Sequence, residues 1–419
     1  MKRRRAFQIA AFIVVGVSLA IVFLYLWDRR PEPPIQLGVL FAKTGLLAEI
    51  EAPLVEAVLL AVDEINSQGG VLGRKILPVV VDTATDDARA AELVRQLITE
   101  NGVSGIVGCV TSSCRKSVRP VVEELNGALF YPLFYEGLEA SPNILYVGAA
   151  PNQQILPGVQ WAHRFLGDRM YIVGSDYVWP RVTGEIVKDR LRDFGVEVLG
   201  EEYFKLGHAD FDAVAARIKA SEPSVVLSMI VGGSSKWFFR ALHEAGIDLN
   251  ATPVMVFSTV PMSLKDRELV SGTYLVFNYF SQIDNARNKA FREAFLARTG
   301  GRVAPNVRIA SAYTATRLWA LGVTYSGSVA APDLLAALRN IVVAAPEGTV
   351  RVDPENGHLW MRARIGRIGS GGIKIVWESS LLVPPVPYPR SRTKEAWDEL
   401  LTMLYEMWGG AWAPSAGEN

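Results

Sequence analysis

The chain has 419 residues, half of them hydrophobic, and equal counts of Lys+Arg and Asp+Glu (43 each), so its net charge is zero. That length carries two globular lobes, and the balanced charge, without basic-plus-aromatic repeats, excludes a nucleic-acid binder. The four histidines (His163, His208, His243, His358) are far apart and show no metal-ligand spacing, and no cofactor is predicted.

In chain order, Lys2–Arg5 precedes an uncharged segment from Ala6 to Trp27. As a helix it reaches about 33 Å, enough to cross a hydrocarbon core. The apolar run continues past Ser18 and Ala20, the candidate sites of signal cleavage. An uncleaved membrane anchor is therefore expected, with the basic cluster cytoplasmic and the remainder exported. Pro31–Pro34 is a stiff spacer. Strand and helix patterns then alternate: strand 35–40, helix 53–65, strand 76–81, helix 86–100, strand 103–110. At 111–113 come Thr, Ser and Ser, where a following helix leaves free N–H groups. That helix carries Val118, Val121, Val122 and Leu125, and a strand from Ala128 to Tyr131 follows. A second alternating set reads strand 170–174, helix 183–194, strand 196–203, helix 211–220, strand 225–230, helix 235–245 and strand 254–258. The remainder reads as strand 275–279, helices 286–298, 307–325 and 331–341, and an antiparallel tail over 350–377. A Pro-rich strap (383–389), a short amphipathic helix (397–408) and a patternless end follow. Two such sets imply an α/β protein with two parallel-sheet lobes facing a cleft.

Enzyme signatures are missing: there is no G-x4-G-K-[ST], G-x-S-x-G or H-E-x-x-H, and the first strand–helix turn, 41–45, lacks the glycines of a dinucleotide site. Nor do the pocket stretches hold a Cys–Glu–Lys or Ser–Lys set for amide hydrolysis. Binding without conversion is the expectation. Small ligands sit beyond the carboxyl ends of strands in open α/β sheets, so 110–113 and 131–135 are two walls of one predicted pocket. In the second lobe Tyr177 and Trp179 stand before a helix, and rings with hydroxyls suit a flat, neutral, polar ligand. A carboxylate would ask for a cation. Arg115, Lys116 and Arg181 are the candidates, the first two opening a helix from which outward directions are expected. Cys109 and Cys114 are five apart. Cys109 ends an apolar run, so a buried free thiol is expected, with a disulfide the alternative in an oxidising compartment.

The runs 108–118, 130–137, 141–143, 150–153 and 174–177, with 69–73, 346–348, 352–354 and His358, resemble the urea- and short-chain-amide-binding proteins. These are type 1 periplasmic binding proteins of the leucine/isoleucine/valine-binding superfamily. The resemblance covers about 35–388 and implies two lobes joined by three hinge crossovers, closing on a ligand without catalysis. With 1–34 as anchor and spacer, it implies a first lobe of 35–150 plus about 275–345, a second of 151–274 plus about 346–388, and a tail over 389–419. Carried over, the pocket is Thr111, Ser112, Tyr131, Leu133, Phe134, Tyr177 and Trp179. Val110 stands where the family has a large aromatic, Leu133 and Phe134 replace smaller or more polar residues, and 258–261 lacks an acidic residue. A more apolar pocket points to an alkyl amide rather than urea. The implied protein is a membrane-anchored, extracytoplasmic solute-binding protein for a small neutral amide, serving an ABC transporter permease. A branched-chain amino acid-binding protein or an amide sensor of the same fold is the alternative.

Overall fold

The computed structural model describes residues 32–260 and 268–414, together with Gly16. The apolar stretch 6–27, which the sequence marks as an anchor, otherwise lies outside the described residues. Among those residues no helix is long and apolar enough to cross a membrane.

The first lobe is built on five parallel strands: β1 (Ile35–Phe41), β2 (Ile76–Asp82), β3 (Ile106–Gly108), β4 (Leu129–Tyr131) and β5 (Ile144–Tyr146), in the order β2-β1-β3-β4-β5. Strands β3, β4 and β5 are buried throughout, as parallel strands covered on both faces must be. Helices α1 (Ala48–Ser67), α2 (Asp87–Thr99) and α3 (Ser112–Glu124) connect them. The carboxylate of Asp86 caps α2 by accepting from the Arg89 N–H at 2.8 Å, and the hydroxyl of Thr111 caps α3 through Cys114 N–H at 3.1 Å. Helix α1 begins at Ala48, five residues ahead of the predicted start, and runs through Pro53. A proline this close to the helix N-terminus forfeits only one intrahelical bond.

The chain then crosses to a second lobe: α4 (Ile155–Phe165), β6 (Met170–Ser175), α5 (Val178–Asp193), β7 (Val198–Phe204), α6 (Asp212–Ser221), β8 (Val225–Met229), α7 (Ser234–Glu244), β9 (Val254–Val256) and β10 (Tyr274–Phe277). It returns to the first lobe with α8 (Ala286–Thr299) and α9 (Val307–Ser326), which pack on α1, then α10 (Ala331–Ala337). Strands β11 (Val342–Ala345), β12 (Gly348–Val352) and β13 (Leu359–Trp360) form a small antiparallel sheet on the same side, tied to β5 by a bridge between Tyr146 and His358. A last crossing adds the hairpin β14 (Arg364–Gly369) and β15 (Gly372–Glu378) to the second sheet. That sheet has the order β15-β14-β10-β9-β8-β6-β7. Among the described residues up to β15 the chain thus passes between lobes three times: after β5, after β10 and before β14.

Two boundaries differ from the sequence reading. The strand at 274–277 belongs to the second sheet, not the first lobe, and 346–360 lies with the first lobe, not the second. An apolar run marks a strand without saying which sheet it joins, so a crossing beside a strand has no local signature. At the first crossing Gly148 lies against the backbone of Leu133 and Phe134, where a Cβ would come within 1.9 Å of the Leu133 carbonyl carbon. This contact seats the segment after β4 at the mouth of the cleft. Helix α11 (Lys394–Met407) packs on α5.

Candidate functional site

A small cavity of about 20 Å³ lies between the lobes, at the carboxyl ends of their strands. From the first lobe it is walled by Ile50, Val110, Ser112, Leu133, Phe134 and Arg308, and from the second by Tyr177, Trp179, Val231, Ser258 and Thr259. A larger surface groove of about 350 Å³, lined by residues of 243–250 and 268–271, lies at the opposite, amino ends of β9 and β10. It shares no residue with the cleft.

The structure brings five of the seven sequence-predicted residues to this wall: Ser112, Leu133, Phe134, Tyr177 and Trp179. The Phe134 ring lies 5.6 Å from that of Trp179, so the lobes meet aromatic to aromatic. Tyr177 is the N-cap of α5. Trp179 sits in the first turn of that helix instead of before it, because Pro180 occupies a position whose N–H would be unpaired in any case. Thr111 and Tyr131 do not line the cavity. Thr111 is spent on the cap of α3 and also accepts from the Ser113 hydroxyl at 3.0 Å. The Tyr131 hydroxyl donates to the Val110 carbonyl at 2.9 Å, and the residue is fully buried. Both hold the wall without forming it.

The turn between β3 and α3 carries a further departure. Cys109 and Cys114 are joined as a disulfide, not kept as a free thiol. Cys109 adopts a left-handed backbone (φ 59°), which bends the chain back far enough for the two sulfurs to meet.

Arg115 and Lys116 do not point outward. Arg115 is 0% exposed and its guanidinium reaches Glu136 and Glu139, each at 3.0 Å, and the Ser112 hydroxyl at 3.0 Å. Ser112 in turn donates to Glu136. Lys116 lies 3.4 Å from Glu139 and 3.7 Å from Glu136, and Arg119 approaches Glu139 at 3.4 Å. Burial alone would lower the Arg115 pKa, yet the two carboxylates hold it well above its ordinary value. Burial likewise would raise Glu139, but Arg115 and Lys116 pull it down to about 2. The Tyr146 hydroxyl donates to Glu139 at 2.8 Å, and the Tyr146 ring stacks on His358 at 4.3 Å. Nδ1 of His358 faces the Asn356 carbonyl at 2.7 Å and carries the proton, so Nε2 accepts from the Tyr135 hydroxyl. Burial pushes this imidazole down to about 4. These groups form the floor behind Ser112, and their charges satisfy one another. Arg181 is likewise engaged, by Asp176 at 2.7 Å.

The cation that does reach the cavity is Arg308, in the first turn of α9. Its Nη1 reaches across the cleft to the Ser258 carbonyl at 3.3 Å and the Thr259 hydroxyl at 3.4 Å. Burial lowers its pKa to about 10, with Glu51 opposing. Glu51 itself accepts from the Ala42 N–H at 2.7 Å and is pushed up to about 8 by burial. Sequence reasoning passed over Arg308, though a signal was there. From 307 to 326 the helix is apolar or small apart from two charges, Arg308 and Arg317. A lone charge on a buried helix needs a reason.

The periplasmic binding protein domain family matches residues 35–394, most of the chain. The chain belongs to that family. The binding-protein similarities agree. The chain is 22% identical over 303 residues to Leu/Ile/Val-binding protein homolog 3 of Brucella melitensis, covering 70% of this chain and 80% of that protein. It is 22% identical over 320 residues to the leucine-, isoleucine-, valine-, threonine- and alanine-binding protein of Pseudomonas aeruginosa, covering 75% and 84%. The fold matches an ABC-transporter solute-binding protein of R. palustris in complex with 4-hydroxybenzoate, with a TM-score of 0.75 at 19% identity, covering 84% and 98%. The branched-chain amino acid transporter substrate-binding protein of Streptococcus pneumoniae, in complex with isoleucine, gives 0.71 at 19%, covering 84% and 100%. The chain is a solute-binding protein of the Leu/Ile/Val-binding type and not an enzyme.

Proposed function

We propose that the interlobe cavity is the solute site and that the lobes close over a small planar head carrying a short apolar body. The observation that carries this reading is the convergence of Ser112, Phe134, Tyr177 and Trp179, from two lobes, on one cavity. Rings and Leu133 supply an apolar wall, and hydroxyls and N–H groups supply hydrogen bonds at one end. Short-chain amides have such a head, and so do the carboxylates isosteric with them. Urea has the head without the body and fits this lining least. A free branched-chain amino acid brings an ammonium that needs an anion. Glu136 is already engaged by Arg115 and Ser112, and Glu51, pushed up to about 8, carries its proton at neutral pH. The amino-acid reading is therefore weaker here, although relatives of this fold bind such ligands.

Delivery of the closed form to an ABC transporter permease is the role, as for the R. palustris protein whose solute is 4-hydroxybenzoate. The Cys109–Cys114 disulfide supports an oxidising, extracytoplasmic location. Residues 6–27 would hold the protein at the membrane. Calorimetry with butyramide, butyrate and urea tests the site. A member of the isosteric pair is expected to bind, and Trp179→Ala to weaken it at least tenfold. Urea as the tightest ligand would overturn the reading.

A further inference from the structure

From the cavity's polar groups we infer that Arg308 makes this a carboxylate site, selecting a small monocarboxylate with an apolar or aromatic body over the neutral amide of the same shape. The inference rests on the interlobe site proposed above and fixes the charge of its ligand.

Hydrogen-bond supply is the first argument. Among the described residues, the cavity's side chains leave two buried N–H donors without a partner, Arg308 Nε and Trp179 Nε1, and no buried acceptor in that condition. The hydroxyls of Ser112, Ser258 and Thr259 already have partners, which leaves the Tyr177 phenol as the hydroxyl of the wall open to a ligand. Ser112 donates to Glu136, Ser258 donates to the Ile230 carbonyl, and Thr259 accepts from Arg308 and from the Gly232 N–H. A carboxylate is acceptor-only and offers two oxygens to two waiting donors. A primary amide brings two N–H groups of its own, and urea four, and would leave protein donors facing ligand donors. An orphaned buried donor costs free energy, so the guest that satisfies both is favoured.

Charge is the second argument. Among the described residues no carboxylate lies within 4.0 Å of the Arg308 guanidinium, whereas Arg115, Lys116 and Arg181 each have one. The nearby Glu51 is turned to the Ala42 N–H. A partly buried guanidinium without a counter-ion is poorly solvated, and a ligand carboxylate supplies the missing charge together with a charge-assisted hydrogen bond. Geometry adds a coupling to closure. Arg308 belongs to the first lobe and already reaches the 258–259 turn of the second, so a carboxylate on Nε is held where the lobes meet.

The test compares isosteric pairs, butyrate with butyramide and benzoate with benzamide, by calorimetry on the full chain. At least one acid is expected to bind at least tenfold tighter than its amide. Arg308→Gln is expected to cost that acid about 100-fold, as truncating one side of a buried charge pair does, and to cost the matching amide at least tenfold less than it costs the acid. Arg308→Lys keeps the charge without the fork and is expected to fall between, which guards against a Gln variant that fails to fold. Amides binding more tightly than acids, or acid binding indifferent to both substitutions, would overturn the inference while the interlobe site stands. If neither member of either pair binds, both the inference and the site fall.

Discussion

At the scale of single residues, buried charge divides into a satisfied group and an unsatisfied one. Arg115 belongs to the first: two carboxylates, a hydroxyl, and the rings of Tyr131 and Tyr135 at 4.8 and 4.5 Å surround its guanidinium. Replacing it with Met strands Glu136 and Glu139 in a dry interior, at a cost of about 3–5 kcal/mol. Urea denaturation should show the loss, and a variant within 1 kcal/mol of wild type would mean that Lys116 suffices. Glu51 belongs to the second group. Its folded pKa of about 8 lies above the ordinary 4.5, so the folded chain holds a proton that the unfolded chain has released. Between those values the folded state binds more protons, and its stability falls as pH rises. Glu51→Gln removes that slope. The melting temperature of wild type relative to the variant should decline from pH 5 to pH 8, and a constant difference would contradict the assignment. His358 acts in the opposite sense. Its folded value of about 4 lies below the ordinary 6.5, so its contribution is full above pH 6.5 and is lost as pH falls toward 4.

At the scale of elements, the β3–turn–α3 unit fixes the first-lobe wall. Its disulfide closes a loop of six residues, and chain-entropy arguments give such a closure about 2 kcal/mol. The double variant Cys109→Ser/Cys114→Ser should lose about that much in urea melts, and dithiothreitol should destabilise the wild type but not the variant. Equal sensitivity of both proteins to the reductant would place the effect elsewhere. The same unit shows what a sequence makes legible. Strand periodicity, the hydroxyl cap at Thr111 and the helix beyond it are local, and local rules find them. The Trp179 wall was also legible, because aromatics at the end of a strand in an α/β lobe stand over its crevice. What was not legible is pairing at a distance. Arg115 and Glu139 are 24 residues apart, and nothing local to either stretch announces the pair. Arg308 is 50 residues beyond Ser258 in the turn that it faces. The lobe boundaries were lost for a related reason: β10 and β11–β13 are plain strands whose sheet is decided by partners far along the chain.

At the scale of the whole molecule, the lobes are tied in part by the segment after β15, which runs on beyond the end of the family match at residue 394. After β15 the chain runs from the hinge along the first lobe, where the Pro387 carbonyl accepts from Leu138 N–H at 2.8 Å. It then returns to the second, where Arg392 pairs with Asp189 and Glu185, each at 2.7 Å. Helix α11 leads to Trp412, whose carbonyl accepts from the Val178 N–H at 3.0 Å, at the first turn of α5 beside Trp179. The ring of Trp412 packs against Tyr405 at 4.8 Å, while the Lys116 ammonium of the first lobe lies over it, also at 4.8 Å. One indole is thus shared by both lobes next to the cavity. A cation over an aromatic face contributes about 0.5–2 kcal/mol, which is roughly 2- to 30-fold in the equilibrium between closed and open forms. Trp412→Ala removes the ring but keeps the backbone bond to Val178. Without ligand, small-angle scattering of the variant should give a larger radius of gyration than wild type, and Trp412→Phe should fall between them. Superimposable curves for all three proteins would mean that the lobes are held by the cleft contacts of Phe134, Trp179 and Arg308 alone.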